Sequence, residues 1–257
     1  MRLTDKEKQA ARILARKDLY FYSRYMFYIR KGYVWQQSPH HKIICDKLMQ
    51  VFRGEIKNLI INLPPRYSKT ELAVVNFISW AFGQYPDCEF IHSSYSSALA
   101  TNNSSQIRDM VLHDENKAIF PNLHLKDDSK AKDHWKTTQG GVMYATGAGG
   151  TITGFGAGKL RDGFGGAILL DDPHKADEAR SETMRANVIN WFTETIKSRR
   201  NDPSKTPIII IMQRLHENDL SGYLLAGNDD DNWQHLKLPA IQSDGTALWA
   251  QKHSIEK

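Results

Sequence analysis

The sequence predicts an α/β fold: a mainly parallel central sheet flanked by helices, preceded by an N-terminal helical segment. Three observations carry this prediction. Apolar runs of strand length alternate with helical stretches along the chain. The runs are continuously apolar, as strands buried on both faces must be. At 257 residues the chain is long enough to bury a full core as one large domain, or as one domain with a small appendage.

Residues 1–31 carry nine Lys or Arg against three acids, an excess larger than the whole chain's net charge of +5. The stretch is also rich in aromatics (LYFYSRYMFYI), which predicts a basic amphipathic helical region whose rings pack on the body while its cations face outward. A solvated helix face and a surface for an anionic partner such as DNA phosphate both fit that pattern. NLIINL (58–63) reads as a buried strand, and KTELAVVNFISWAFGQYP as a helix ended by Gly83 and Pro86. CEFIHSSY (88–95) is a second strand, followed by a helix from about Ser96 to Leu112. The glycine-rich stretch 140–166 reads as a hairpin with mobile loops. GAILLDDP supplies a third buried strand, a charged helical stretch runs from Ala176 to about Arg200, and TPIIIIMQR is a fourth strand.

Composition narrows the function classes. The longest apolar runs, such as PIIIIM at 207–212, fall far short of the ~20 residues of a membrane-spanning helix. The charged N-terminus does not resemble a signal peptide. Cys45 and Cys88 are too few for a disulfide framework and lack metal-ligand spacing, so a reducing cytoplasm fits best.

The chemistry is concentrated in LIINLPPRYSKTELAVV (59–75). In the pattern G-x-x-x-x-G-K-[ST], Lys69 and Thr70 take the last two places, while Leu63 and Ser68 stand where glycines belong. A phosphate loop needs a strand end, a tight turn with inward N–H groups, a lysine for the β/γ-phosphates and a hydroxyl for Mg²⁺ opening a helix. Strand, Lys69, Thr70 and helix occur here in that order. Ser68 puts a small side chain in the place of the second glycine, and Pro64-Pro65 can stiffen the turn. About 100 residues downstream, AILLDDP brings two carboxylates to the end of a buried strand, the Walker B arrangement. Asp171 would organise Mg²⁺ and Asp172 would polarise the attacking water; an acidic turn capped by Pro173 is the plainer alternative.

Upstream, VWQQSPHH holds Trp35, Gln36, Gln37, His40 and His41. Either amide can pair with adenine and an aromatic can stack on it, which makes Gln36 or Gln37 the candidate adenine contact. The adjacent histidines point in different directions and lack a third ligand at zinc spacing.

These motifs, together with SPHHKIICDKLMQVFRGEIKNLIINLPPRYSKTELA, ISWAFGQYPDCEFIHSSYSSALA, GAILLDDPHKADEA, WFTETIKSRR and IIIIMQRLHENDLSGYLL, resemble the ATPase motor of the large subunit of tailed-phage terminases over roughly residues 36–250. That family uses a deviant loop with PPR before the lysine. The resemblance implies a P-loop NTPase of the ASCE type that uses ATP and Mg²⁺, with Pro65, Arg66, Tyr67, Ser68, Lys69 and Thr70 around the phosphates and Thr70 and Asp171 on the metal. It implies double-stranded DNA, the portal of the procapsid and a small terminase subunit as partners, a homo-oligomeric ring on the portal, no membrane, and the host cell cytoplasm as location. Arg66 lies three residues before Lys69 and can reach the γ-phosphate in cis or pair with a surface acid. The family's coupling residue maps to Gln213, beside Arg214; the same pair could simply be exposed at a strand end. A trans-acting arginine maps to Arg161, near Lys159 in the glycine-rich segment, with DNA contact as its alternative. The expected domains are a basic helical segment over 1–35, the ATPase over 36–240, and over 241–257 the start of a linker to a nuclease domain outside this sequence, so no nuclease activity is expected of the chain. A helicase-like ATPase and a non-hydrolysing DNA-binding module are the other readings, and Mg²⁺-dependent ATP turnover separates the last from the rest.

Overall fold

The computed structural model of the protein describes residues 3–129 and 131–255; Met1 and Arg2 of the basic segment and residues 256 and 257 of the terminal stretch lie outside the described residues. Strands β1 (Asn58–Asn62), β2 (Glu89–Ser94), β3 (His134–Lys136), β4 (Val142–Gly147), β5 (Ile168–Asp171), β6 (Ile208–Met212) and β7 (Trp233–Lys237) form one seven-stranded sheet in the order β3-β4-β2-β5-β6-β1-β7. All neighbours pair in parallel except β3 with β4. Every residue of β1, β5 and β6 is buried, because helices cover both faces of the sheet centre. Alternate residues serve opposite layers. Leu59, Ile61, Leu169, Ile209 and Ile211 pack into the larger cluster, while Ile60, Ile168, Leu170, Ile208 and Ile210 pack against Trp191, Phe192, Ile196, Leu220 and Leu224.

The first layer contains α1 (Asp5–Lys17), α2 (Leu19–Lys31), α3 (Pro39–Phe52), α4 (Phe77–Gln84), α5 (Ser97–Leu112) and α6 (Asp114–Ile119). Helix α1 starts in a capping box: Glu7 N–H donates to Thr4 Oγ1, and Thr4 N–H donates to the Glu7 carboxylate. Asp18 ends α1 and caps α2 by accepting from Phe21 N–H, and α2 stops at Gly32 in the left-handed region. The predicted inward rings are there, since Tyr22, Tyr25, Leu19 and Met26 are buried in the main core. The outward cations need correcting. Arg12 forks onto the Glu115 carboxylate at 2.7 and 2.9 Å, Arg16 donates to the Ile119 carbonyl, and Arg30 pairs with Glu71 at 3.2 Å. These guanidiniums tie the segment to the body, while Lys6, Lys17 and Lys31 stay exposed.

Three predicted elements differ in detail. The predicted helix after β1 contains a π-helical stretch, Glu71–Asn76, before α4. The hairpin is β3 with β4, so only its second strand lies in the glycine-rich stretch, and residues 148–167 contain no strand. That stretch is wedged against its surroundings: at Gly166 (φ 122) a Cβ would collide with the Glu89 main chain, which fixes how the chain enters β5 beside β2. The charged stretch becomes helical only at α7 (Glu182–Trp191), capped by Ser181, and then widens into a π turn at Phe192–Ile196. A short α8 (Leu220–Leu225) and edge strand β7 complete the chain before residues 238–255. No helix among the described residues is long and apolar enough to cross a membrane.

Candidate active site

Because the strands are parallel, the loops after β1, β5 and β6 leave the sheet at the same edge, the side where open α/β sheets bind ligands. The strand order places β6 between β1 and β5, the separation that defines the ASCE arrangement. The missing glycines now have a structural answer. Arg66 (φ 67) and Ser68 (φ 66) both adopt the left-handed conformation, so a serine occupies the backbone state for which the pattern uses glycine. Such strain gathers at functional sites. Ser68→Gly should therefore raise stability by about 1 kcal/mol without loss of nucleotide binding; thermal melting measures the gain, and a lower melting temperature would show that the serine hydroxyl outweighs the strain.

Past the turn, helical geometry begins at Lys69 and aims two side chains at the end of β5. Lys69, only 6% exposed, places Nζ 2.6 Å from Asp172 Oδ2. Thr70 Oγ1 donates to Asp171 Oδ2 at 2.7 Å. Asp171 is 2% exposed, and burial, reinforced by the neighbouring Asp172 charge, pushes its carboxyl up to about 7 against the Thr70, Lys69 and Asn103 contacts. Its other oxygen, Oδ1, is buried without a partner. Asp172 itself is left-handed (φ 45), and its Oδ1 accepts from the Gln213 main-chain N–H at 3.0 Å.

An orphaned carboxylate oxygen next to a hydroxyl is a hard-oxygen site that fits Mg²⁺, which binds through one or two protein oxygens and takes the rest from water and phosphate. Among the described residues no group of three or more His, Cys, Asp or Glu forms a protein-only metal cage. His40 spends both ring nitrogens elsewhere, on Ser38 Oγ and the Tyr67 carbonyl, and His41 Nδ1 accepts from Ser38 N–H at the start of α3, while His41 Nε2 is buried without a partner. Burial, and secondarily the His40 neighbour, pushes His41 down to about 3.

The structure thus brings together Lys69, Thr70, Asp171, Asp172 and the backbone of Gln213. Pro65 and Arg66 are exposed on the loop, and Arg214 is held by Asp219. Tyr67 is buried, stacking on His253 (centroids 4.8 Å apart) beside Trp249. Lys252 donates to the Arg66 carbonyl, so residues 249–253 grip the back of the loop. The adenine expectation is partly corrected. Trp35 is a core residue with Phe27 stacked at 5.2 Å and His41 at 4.8 Å, which leaves it no free face for a base. Gln37 accepts from the Tyr20 hydroxyl, and Gln36 is exposed. Arg161 is not brought to this site. It forks onto Asp87 at 2.7 and 2.6 Å and lies over the Tyr85 ring, at the entrance of β2, the opposite end of the sheet from the loop. Lys159 pairs with Glu89 beside it. Asn103, which sequence reading passed over, contacts Asp171; an amide in the run ATNNSS carries no signal of its own.

No family model and no curated protein matches the chain. Among solved structures, the HK97 bacteriophage large terminase is similar at 14% identity and a TM-score of 0.54, over 89% of this chain and 44% of that one. A chain from an S. cerevisiae Dbp5 complex containing ADP matches over 87% of this chain and 53% of its own, at 12% identity and a TM-score of 0.44. This chain thus spans under half of the terminase's length, and the likeness is one of fold. The protein has the fold of a P-loop NTPase, in which one strand separates the strand leading to Lys69 from the strand that carries Asp171.

Proposed function

We propose that the protein is an ATP-hydrolysing motor that drives double-stranded DNA into a procapsid. The observation that carries the reading is the convergence of Lys69, Thr70, Asp171 and Asp172 at one sheet edge. Lys69 would bind the β/γ-phosphates, and Thr70 with Asp171 would hold Mg²⁺. The ion, when bound, neutralises charge developing on the phosphates. Asp172, aimed by the Gln213 amide, would take the proton of the attacking water. For Lys69 to face phosphate its contact with Asp172 must open, so nucleotide arrival also frees the base. Arg66, on the loop, supports a role at the γ-phosphate in cis; a trans role for Arg161 requires release from Asp87. Residues 36–240 would form the motor, with 241–257 leading toward a nuclease domain, and the working form would be a ring on the portal together with a small terminase subunit, in the host cytoplasm. The deciding experiment is Mg²⁺-dependent release of phosphate from ATP by the purified chain, with and without double-stranded DNA. No turnover in either condition would favour a non-hydrolysing DNA-binding module.

DNA contact by the N-terminal segment would be to phosphate, independent of sequence and steeply weakened by salt. Removing residues 1–31 would not test this cleanly, because Leu19, Tyr22 and Met26 are fully buried and contribute roughly 1.5–3 kcal/mol each. Charge removal at the exposed Lys6, Lys17 and Lys31 is the better probe. Each neutralised phosphate contact should reduce the salt slope of binding by about 0.9. An unchanged slope in the triple variant would assign the segment to packing alone.

A further inference from the structure

Behind the candidate metal carboxylate lies a buried polar chain that the proposed chemistry does not use. Asn103 projects from α5, is 2% exposed, and directs Nδ2 both to Asp171 Oδ2 (3.5 Å) and to His92 Nε2 (3.2 Å). His92 is fully buried on β2, and its Nδ1 faces the Leu169 carbonyl at 3.3 Å. Since a carbonyl only accepts, Nδ1 carries the proton and Nε2 is left as an acceptor for the amide. Burial pushes His92 down to about 4, which keeps the ring neutral in this tautomer. The register explains the placement: His92 pairs with Leu169 on β5, two residues before Asp171. Two donors therefore converge on the same oxygen of Asp171, the Thr70 hydroxyl and the Asn103 amide, while Oδ1 has none. Amides are poor choices for a helix interior, so an asparagine buried at mid-helix calls for a polar task.

We propose that Asn103, fixed by His92, is a positioning residue for the divalent cation: with Thr70 it holds one oxygen of Asp171 and so presents the other to the metal. The inference rests on the reading of this site as one for ATP and Mg²⁺. The carboxylate is the ligand, the amide its orienting partner, and the imidazole the anchor that stops the amide from turning. Outer partners of this kind typically change metal affinity by about 10- to 100-fold when removed.

The test uses Mn²⁺ as the probe, titrated by its paramagnetic signal into the full chain saturated with ADP. ADP affinity is measured separately in EDTA, where no metal contributes. Asn103→Leu, similar in size but without donors, should weaken Mn²⁺ binding about tenfold or more while leaving metal-free ADP affinity within about twofold. A merely structural role would instead lower both together, along with the melting temperature. His92→Phe keeps the Asn103 amide but removes its anchor and should give a smaller loss in the same direction; it decides the matter if Asn103→Leu does not fold. Mn²⁺ affinity within twofold of the native chain in a folded variant would overturn the positioning role and leave the ATP and Mg²⁺ reading intact. Absence of Mn²⁺ binding by the native chain would overturn both.

Discussion

Lys69→Ala is expected to lower ATP turnover by about 10²- to 10³-fold, the usual loss when one preorganised charge is removed from a transition state. The variant also leaves Asp172 without its counter-ion in a partly buried setting. Breaking fully buried pairs costs about 3–5 kcal/mol; with the Asp172 side chain 22% exposed, solvent screening brings the expected loss nearer 1–2 kcal/mol. The two effects separate in the double variant Lys69→Ala/Asp172→Asn, which should regain most of the melting temperature and none of the turnover. Near-native turnover from a folded Lys69→Ala protein would sink the nucleotide-site reading.

Asp172→Asn should cost a comparable amount, about 10²- to 10⁴-fold, through the loss of a general base. Asparagine can still accept the Gln213 amide hydrogen, so the turn that follows β5 should persist. It cannot hold Lys69 as an ion pair, which leaves that lysine freer for phosphate. Nucleotide affinity is therefore expected to stay level or rise while hydrolysis falls, a divergence that equilibrium binding of a fluorescent ATP analogue and a phosphate-release assay would expose together. A fully active variant would move the base elsewhere. Glu178, paired with Lys175 in the loop after β5, is then the first carboxylate to change, and Glu194, exposed on the π turn after α7, the second.

The strands that carry the chemistry were legible because they are buried on both faces and must be continuously apolar. NLIIN, ILLD and IIIIM have no other place to go. The edge strands were not, since β7 (WQHLK) is mostly exposed and polar, and β3 spans three residues. The meeting of Lys69 and Thr70 with Asp171 and Asp172 followed from local motifs whose geometry the backbone imposes. The location of Arg161 did not, because the path of residues 148–167 is set by distant contacts such as Gly166 against Glu89, and such contacts have no period in the sequence. Trp35 misled for a similar reason. An aromatic beside two amides looks like a stacking platform until the rings that already cover it are known.

The grip of residues 249–253 on the loop before Lys69 has a thermodynamic corollary. Lys252 holds the Arg66 carbonyl, and the Tyr67 ring lies against Trp249 and His253, so two consecutive loop residues share their energy with the chain beyond β7. Linkage makes that sharing reciprocal: if nucleotide favours one pose of the loop, it must favour the matching pose of the terminal segment by the same free energy, and a load on that segment must change nucleotide affinity in return. A strained loop with left-handed residues at 66 and 68 is a sensitive end for such a lever, because its backbone is already held away from its resting conformation. An occupant of the candidate site and a load on the chain after β7 would then read one another through a handful of ring contacts and one lysine.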